Sequence, residues 1–169
     1  NRIHLFGYNF ATLDIRQDSR VLRRVHQYCR SQKPINSLYS EGYDSLSEDE
    51  KLKAISFRTA KIIYADEQDN LIKDALQTIS EIKDIQQKNG EEACHRFIIS
   101  NCQQASDILQ LMELFLWNGW EAEDLTIDFV PLFETVNDLS GAAEIMDKLN
   151  EGVASTLHVG LTEKQTKDG

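Results

Sequence analysis

Apolar residues along the chain switch between two periods, and the switches divide it into alternating elements. Leu13 and Ile15 alternate with Asp14 and Arg16, which predicts a short strand over residues 11–16; residues 4–10 before it read as the end of a helix. Ser19 is placed to cap a helix whose apolar residues Val21, Leu22, Val25, Tyr28 and Cys29 form one stripe. The stretch 31–45 is polar and has no sustained period, so it reads as a loop. Ser45 and Glu48 are spaced as a capping box for a helix beginning near Leu46. From about Glu67, Leu71, Ile72, Ala75, Leu76, Ile79, Ile82 and Ile85 mark a longer amphipathic helix, with Asn89-Gly90 as its stop.

The second half alternates more quickly. Phe97-Ile98-Ile99 centres a buried strand over residues 94–100, and Ser106 is placed to cap a helix over 107–117 that is apolar on most sides and stops at Asn118-Gly119. A third strand is predicted over residues 127–134. Pro131 near its end cannot donate to a ladder, which suggests a strand terminus beside a site. A last helix is expected over 139–149, and no element is assigned to 152–169. Strands alternating with helices predict an α/β protein with parallel strands. A closed eightfold barrel takes about 250 residues. This chain of 169 residues cannot close one, has the length for three or four strand-helix units, and is read as a single domain over 1–169.

Composition narrows the functions. With 18 basic against 28 acidic side chains the formal charge is -10, which argues against a nucleic-acid backbone or an anionic membrane as the main partner. A hydrophobic fraction of 41% predicts a packed core. The N-terminus lacks the pattern of a secretory signal, and the most apolar window, 108–120, is too short for a bilayer and is interrupted by Gln110, Glu113 and Asn118. Cys29, Cys94 and Cys102 include no CxxC pair, so reduced thiols and a cytoplasmic location are expected.

Charged residues at strand ends are the candidates for chemistry, because ligands bind at the carboxyl ends of strands in parallel α/β architectures. Arg16 closes the first strand and Glu134 the third, so both are expected to face one crevice. A guanidinium there grips a phosphate or carboxylate with two prongs, and a carboxylate holds a divalent cation. The purely structural reading pairs Arg16 with Asp14 or Asp18, and has Glu134 cap the next helix or meet an arginine. His4, His26, His95 and His158 show no metal-ligand spacing, and His26 is expected on the surface. Arg20, Arg23, Arg24 and Arg30 form a basic helix face, expected to be solvated and ion-paired. There is no GxSxG, Walker-type glycine loop or GxGxxG.

Leu13-Asp14-Ile15-Arg16-Gln17-Asp18-Ser19 resembles a characteristic segment of the phosphoenolpyruvate carboxylase family. Arg96-Phe97-Ile98-Ile99-Ser100, followed by Ala105-Ser106-Asp107-Ile108-Leu109, is similar to the family's V-I-S-M and S-D-V-L segments. Val130-Pro131-Leu132-Phe133-Glu134-Thr135 with Asp138-Leu139 matches P-L-F-E-T-x-x-D-L. The likeness runs from about residue 1 to 150 and resumes at the tail. It implies part of a helix-rich (β/α)8 barrel, from a cytoplasmic lyase that is usually a homotetramer. That lyase converts phosphoenolpyruvate and bicarbonate into oxaloacetate and phosphate with Mg2+ or Mn2+. It also implies that Arg16 contacts the phosphoryl group, that Glu134 is one of two metal carboxylates and that Lys167 is the catalytic lysine. The tail departs from the pattern: Lys164-Gln165-Thr166 runs directly into Lys167-Asp168-Gly169, where the family carries an apolar strand and the second metal aspartate. Either a stretch of the natural chain is missing from the sequence at this join or the chain is deleted there. The family's T-A-H-P-T and H-G-R-G-G-S segments lie outside these residues, so the isolated piece is expected to be inactive. The rival expectation is a noncatalytic binding or regulatory module that keeps part of the barrel.

Overall fold

A computed structural model describes residues 12–40, 42–65 and 67–165. Strands β1 (Asp14–Asp18), β2 (Arg96–Ser100) and β3 (Asp128–Pro131) form one parallel sheet in the order β1-β2-β3. Helices α1 (Ser19–Ser31), α2 (Glu48–Ala54) and α3 (Asn70–Asn89) lie between β1 and β2 in the chain. Helix α4 (Ala105–Trp117) joins β2 to β3, and α5 (Val136–Gln165) follows. The expected parallel α/β alternation is therefore present, with extra helix in the first crossover. The helix expected over 4–10 lies outside the described residues.

Burial separates the two faces of the sheet. Phe97 and Ile99 of β2 are buried, and the Phe115 ring of α4 meets Phe97 and Phe129 edge-on at 5.8 and 5.2 Å. Around α4 gather Leu22, Val25 and Cys29 from α1 and Ile72, Leu76, Ile79 and Ile82 from α3. These stripes recur every three or four residues, which is why the two helices are amphipathic and α4, enclosed by them, is apolar nearly all round. The opposite face carries Arg16, Ile98 and Val130 in one row and Asp14, Arg96 and Asp128 in the next. None of these six is fully buried. All three cysteines are free and buried, and burial pushes the thiols up, that of Cys102 to about 12.

Several ends fall a few residues from their predicted places, for local reasons. β1 runs over Asp14–Asp18, beyond the predicted 11–16, because it pairs residue for residue with β2. Asp18, in place of Ser19, caps α1 by accepting from the Arg20 amide at 2.8 Å. The capping box of α2 is Ser47 with Glu50, not Ser45 with Glu48. Ser45 ends a 3-10 turn, and Glu48 accepts from the Ser106 amide and hydroxyl at 2.7 and 2.8 Å. Ser106 is thus engaged across the fold, and Gln104 with Asp107 caps α4 instead. α3 begins at Asn70 behind its cap Asp69 and stops at Gly90, whose φ of 90° with ψ of 157° suits glycine alone. α5 is longer than predicted at both ends, running to Gln165.

Candidate functional site

Arg16 does not close β1, as expected, but is its middle residue, because pairing with β2 carries the strand on to Asp18; it lies on the open face of the sheet, in register with Ile98. Glu134 lies just past β3, which ends at Pro131 where the missing N–H costs no central ladder bond. Two anchors hold the segment between β3 and α5. The Leu132 amide donates to the Ile99 carbonyl at 2.9 Å, and Thr135 exchanges bonds with Asp138 at 3.0 and 3.1 Å in a reciprocal cap for α5. Those bonds from Thr135 also hold the Asp138 carboxyl below its ordinary value. Between the anchors Glu134 reaches across to β1, and its Oε1 lies 2.6 Å from Arg16 Nη2. The two side chains predicted to face one crevice are thus each other's partners.

The purely structural alternatives for Arg16 are already taken. Asp18 is held by Arg20, whose hydrogen bond is the first cause of its lowered pKa, and Asp14 lies 3.2 Å from Arg96. Glu134 does meet an arginine, but that arginine is the other candidate. The basic face of α1 is ion-paired throughout: Arg20 with Asp18, Arg23 with Asp107, Arg24 with Asp69 and Arg30 with Asp44. Not all of it is solvated, since Asp107 is buried and receives the Arg23 fork at 2.6 and 3.0 Å. That fork, with the Ser19 hydroxyl donating to the Asn101 carbonyl at 2.6 Å, ties the end of β1 to the end of β2. The rim from which Arg16 projects is therefore fixed by buried polar contacts.

His26 is not on the surface, as its sequence position suggested, but 1% exposed. Its Nε2 lies 2.9 Å from Glu113 Oε2, its ring stacks on Trp117 at 4.8 Å, and its Nδ1 accepts from Arg30 Nε at 3.2 Å. An Nδ1 that accepts leaves Nε2 as the donor to Glu113, which is the arrangement of a neutral imidazole. Burial holds the His26 pKa below its ordinary value, partly opposed by Glu113. Glu113 also accepts from the Tyr39 hydroxyl and, at 3.0 Å, from the Ser56 amide. The signal for this cluster was in the sequence: His26 falls on the same stripe as Leu22, Val25 and Cys29, and Glu113 sits inside the most apolar window.

No group of three His, Cys, Asp or Glu side chains arranged to hold a metal occurs among the described residues. Glu134 nonetheless fits a hard cation that keeps several waters and takes one or two carboxylates plus substrate phosphate. It is a half-exposed oxygen donor whose one partner among the described residues is itself a charged side chain. A hollow of about 70 Å³ beside Arg16, lined by Ile15, Leu22, Ala75 and Phe97 among others, is far below the several hundred Å³ of ligand clefts. Lys167 lies outside the described residues. No helix among them is long and apolar enough to cross a membrane.

Fold and site together define a parallel α/β unit in which an arginine of β1 meets a glutamate just past β3. The chain belongs to the phosphoenolpyruvate carboxylase family, whose model, described as "Phosphoenolpyruvate carboxylase", matches residues 1–166. It is 34% identical over 159 residues to a phosphoenolpyruvate carboxylase of Prochlorococcus marinus strain MIT 9312, covering 88% of this chain and 15% of that protein. The corresponding protein of strain MIT 9301 is 35% identical over 156 residues, with the same coverage. That of Trichormus variabilis is 30% identical over 162 residues, covering 89% of this chain and 15% of the relative. The chain therefore spans about 15% of the length of the curated relatives it matches.

Proposed function

We propose that this chain is an interior part of the barrel of a lyase that carboxylates phosphoenolpyruvate with bicarbonate, giving oxaloacetate and phosphate. The observation that carries the reading is the meeting of Arg16 and Glu134 at 2.6 Å on the strand-end rim, in a chain that belongs to this family. The open face of the sheet supports the barrel, because parallel sheets are almost always covered on both faces and here the described helices cover one. That face becomes a barrel interior once further strands close it. The parent is read as a cytoplasmic homotetramer, with neither nucleic acid nor membrane as partner.

In this reading Arg16 binds and orients the substrate, its planar fork gripping phosphoryl oxygens while bicarbonate takes the phosphoryl group. Glu134 is one of the carboxylates that hold Mg2+ or Mn2+, which when bound offsets charge on the phosphoryl oxygens and the developing enolate. Lys167 is assigned as a further catalytic group. The rim contacts of Ser19 and Arg23 hold Arg16's strand in place, as preorganised charge stabilisation requires. Most of the strand ends are contributed by other parts of the parent, so the isolated chain is inactive.

The test uses the full-length protein. Glu134→Gln keeps the size and removes the charge, so turnover falls and the metal concentration for half-activity rises. Arg16→Lys keeps the charge and loses the fork, so kcat/KM falls about a hundredfold or more with metal affinity little changed. Metal-titrated kinetics separate the two, and normal kinetics for Glu134→Gln at every metal concentration would defeat the reading.

A further inference from the structure

Arg16 and Glu134 occupy each other, although each is assigned a different ligand. Their atoms lie 2.6 Å apart, and the surrounding charges offer no exchange: Arg20, Arg23, Arg24 and Arg96 are paired with Asp18, Asp107, Asp69 and Asp14. Within this chain the pair is lightly held: its side chains are 55% and 44% exposed, and an ion pair open to water contributes little. Arg16 stands on a paired strand, whereas Glu134 sits in the short irregular segment between the Leu132 and Thr135 anchors. Glu134 is therefore the member with room to turn.

We infer that this ion pair is a reciprocal latch, through which binding of a phosphate-bearing anion at Arg16 and of a divalent cation at Glu134 favour one another. When Arg16 takes up an anion it releases Glu134 as a free carboxylate; when Glu134 turns to a cation it releases the Arg16 fork. An anion gripped by the Nη2 prong, or a cation that takes Oε1, must give up the single Nη2–Oε1 contact, and the second ligand finds it already broken. Linkage makes the effect equal in both directions. The inference rests on the roles proposed above for the two residues, and adds that their affinities are coupled through their own contact.

The latch makes a counterintuitive demand: without metal, removing the cation-binding carboxylate strengthens anion binding. In the full-length protein, titrated by calorimetry with phosphoenolpyruvate in EDTA and without bicarbonate, Glu134→Gln tightens binding about threefold to fivefold, the worth of one exposed pair. In an Arg16→Gln background the same change has no effect, because there is no pair to open. The mirror measurement follows free Mn2+ by electron paramagnetic resonance without anion: Arg16→Gln tightens Mn2+ binding by the same factor, and Glu134→Gln weakens it. Equal tightening by Glu134→Gln in both backgrounds would show a general charge effect and overturn the latch, as would no tightening at all. Should Arg16→Gln leave phosphoenolpyruvate binding unchanged, the role of Arg16 itself fails, a result distinct from failure of the coupling.

Discussion

Two glutamates, each joined to a nitrogen base from the first third of the chain, behave in opposite ways. Glu134 meets Arg16 at 2.6 Å and Glu113 meets His26 at 2.9 Å, so distance does not distinguish them. Surroundings do. Glu113 is fully buried with Tyr39 and the Ser56 amide as further donors, whereas Arg16 is the one described partner of the exposed Glu134 carboxylate. A carboxylate taken out of water must have its oxygens satisfied by fixed donors, and those donors then prevent it from doing anything else. A carboxylate at a solvated strand end keeps the freedom to exchange partners. Burial thus assigns one pair to holding α1 against α4, and leaves the other open to the exchange of partners that its proposed role requires.

The largest effect should come from breaking the buried pair. Glu113→Ala leaves His26, the Tyr39 hydroxyl and the Ser56 amide without an acceptor, and losing one member of a buried pair costs about 3–5 kcal/mol. Amide hydrogen exchange of α1 and α4 peptides in the full-length protein should quicken about a hundredfold or more. Protection that changes less than tenfold would mean that the cluster relaxes or admits water, and that the contrast between the glutamates is overstated.

The contrast was only half legible in the sequence. Arg16 and Glu134 could be placed on one crevice because a rule of architecture applies to them: parallel strands of one sheet bring their carboxyl halves together whatever lies between, although their contact with each other was not legible and Arg16 proved to be mid-strand. His26 and Glu113 have no such rule, being 87 residues apart on helices whose mutual rotation depends on packing. A histidine on an apolar stripe signals burial, but not its partner. The caps fail for a related reason. In Asp18-Ser19 and in Gln104-Ala105-Ser106-Asp107 several side chains are competent to cap, and local pattern does not rank them. The fold chooses by spending Ser19 on the Asn101 carbonyl and Ser106 on Glu48, leaving Asp18 and the Gln104–Asp107 box for the helix ends. By contrast Gly90 and the Phe97-Ile98-Ile99 run were read correctly, since each needs only its own backbone conformation or its own apolarity.

A smaller effect is confined to acid. Burial, partly opposed by Glu113, holds the folded His26 pKa below the ordinary value of 6.5, and Arg30 donating to Nδ1 favours the same neutral form. As pH falls below about 6.5 the unfolded chain takes up a proton that the folded chain does not, so stability declines until the folded pKa is passed. Above that window His26 contributes no slope. Protection of α1 amides, taken relative to free-peptide exchange at each pH, should therefore be level from pH 8 to 7 and fall towards pH 5. His26→Gln should flatten the fall. A decline of the same size in the variant would assign it to groups other than His26.

The smallest effect belongs to the exposed pair, and its smallness is the informative result. An ion pair in water gains little, because solvent screens the attraction and holding two long side chains together costs entropy; such pairs contribute about 0–1 kcal/mol. Replacing Arg16 by Gln, Glu134 by Gln, or both should change exchange from β1 and from residues 128–136 by less than about fivefold. The double variant should resemble the single ones, and whatever difference exists should shrink as salt is raised. The same substitutions are expected to change ligand binding and turnover in the full-length protein, so the pair would be dispensable for the fold and needed for the site. A loss of protection as large as that of Glu113→Ala would reverse this, showing that closure of the sheet's open face buries Arg16 and Glu134 and makes them a structural clamp.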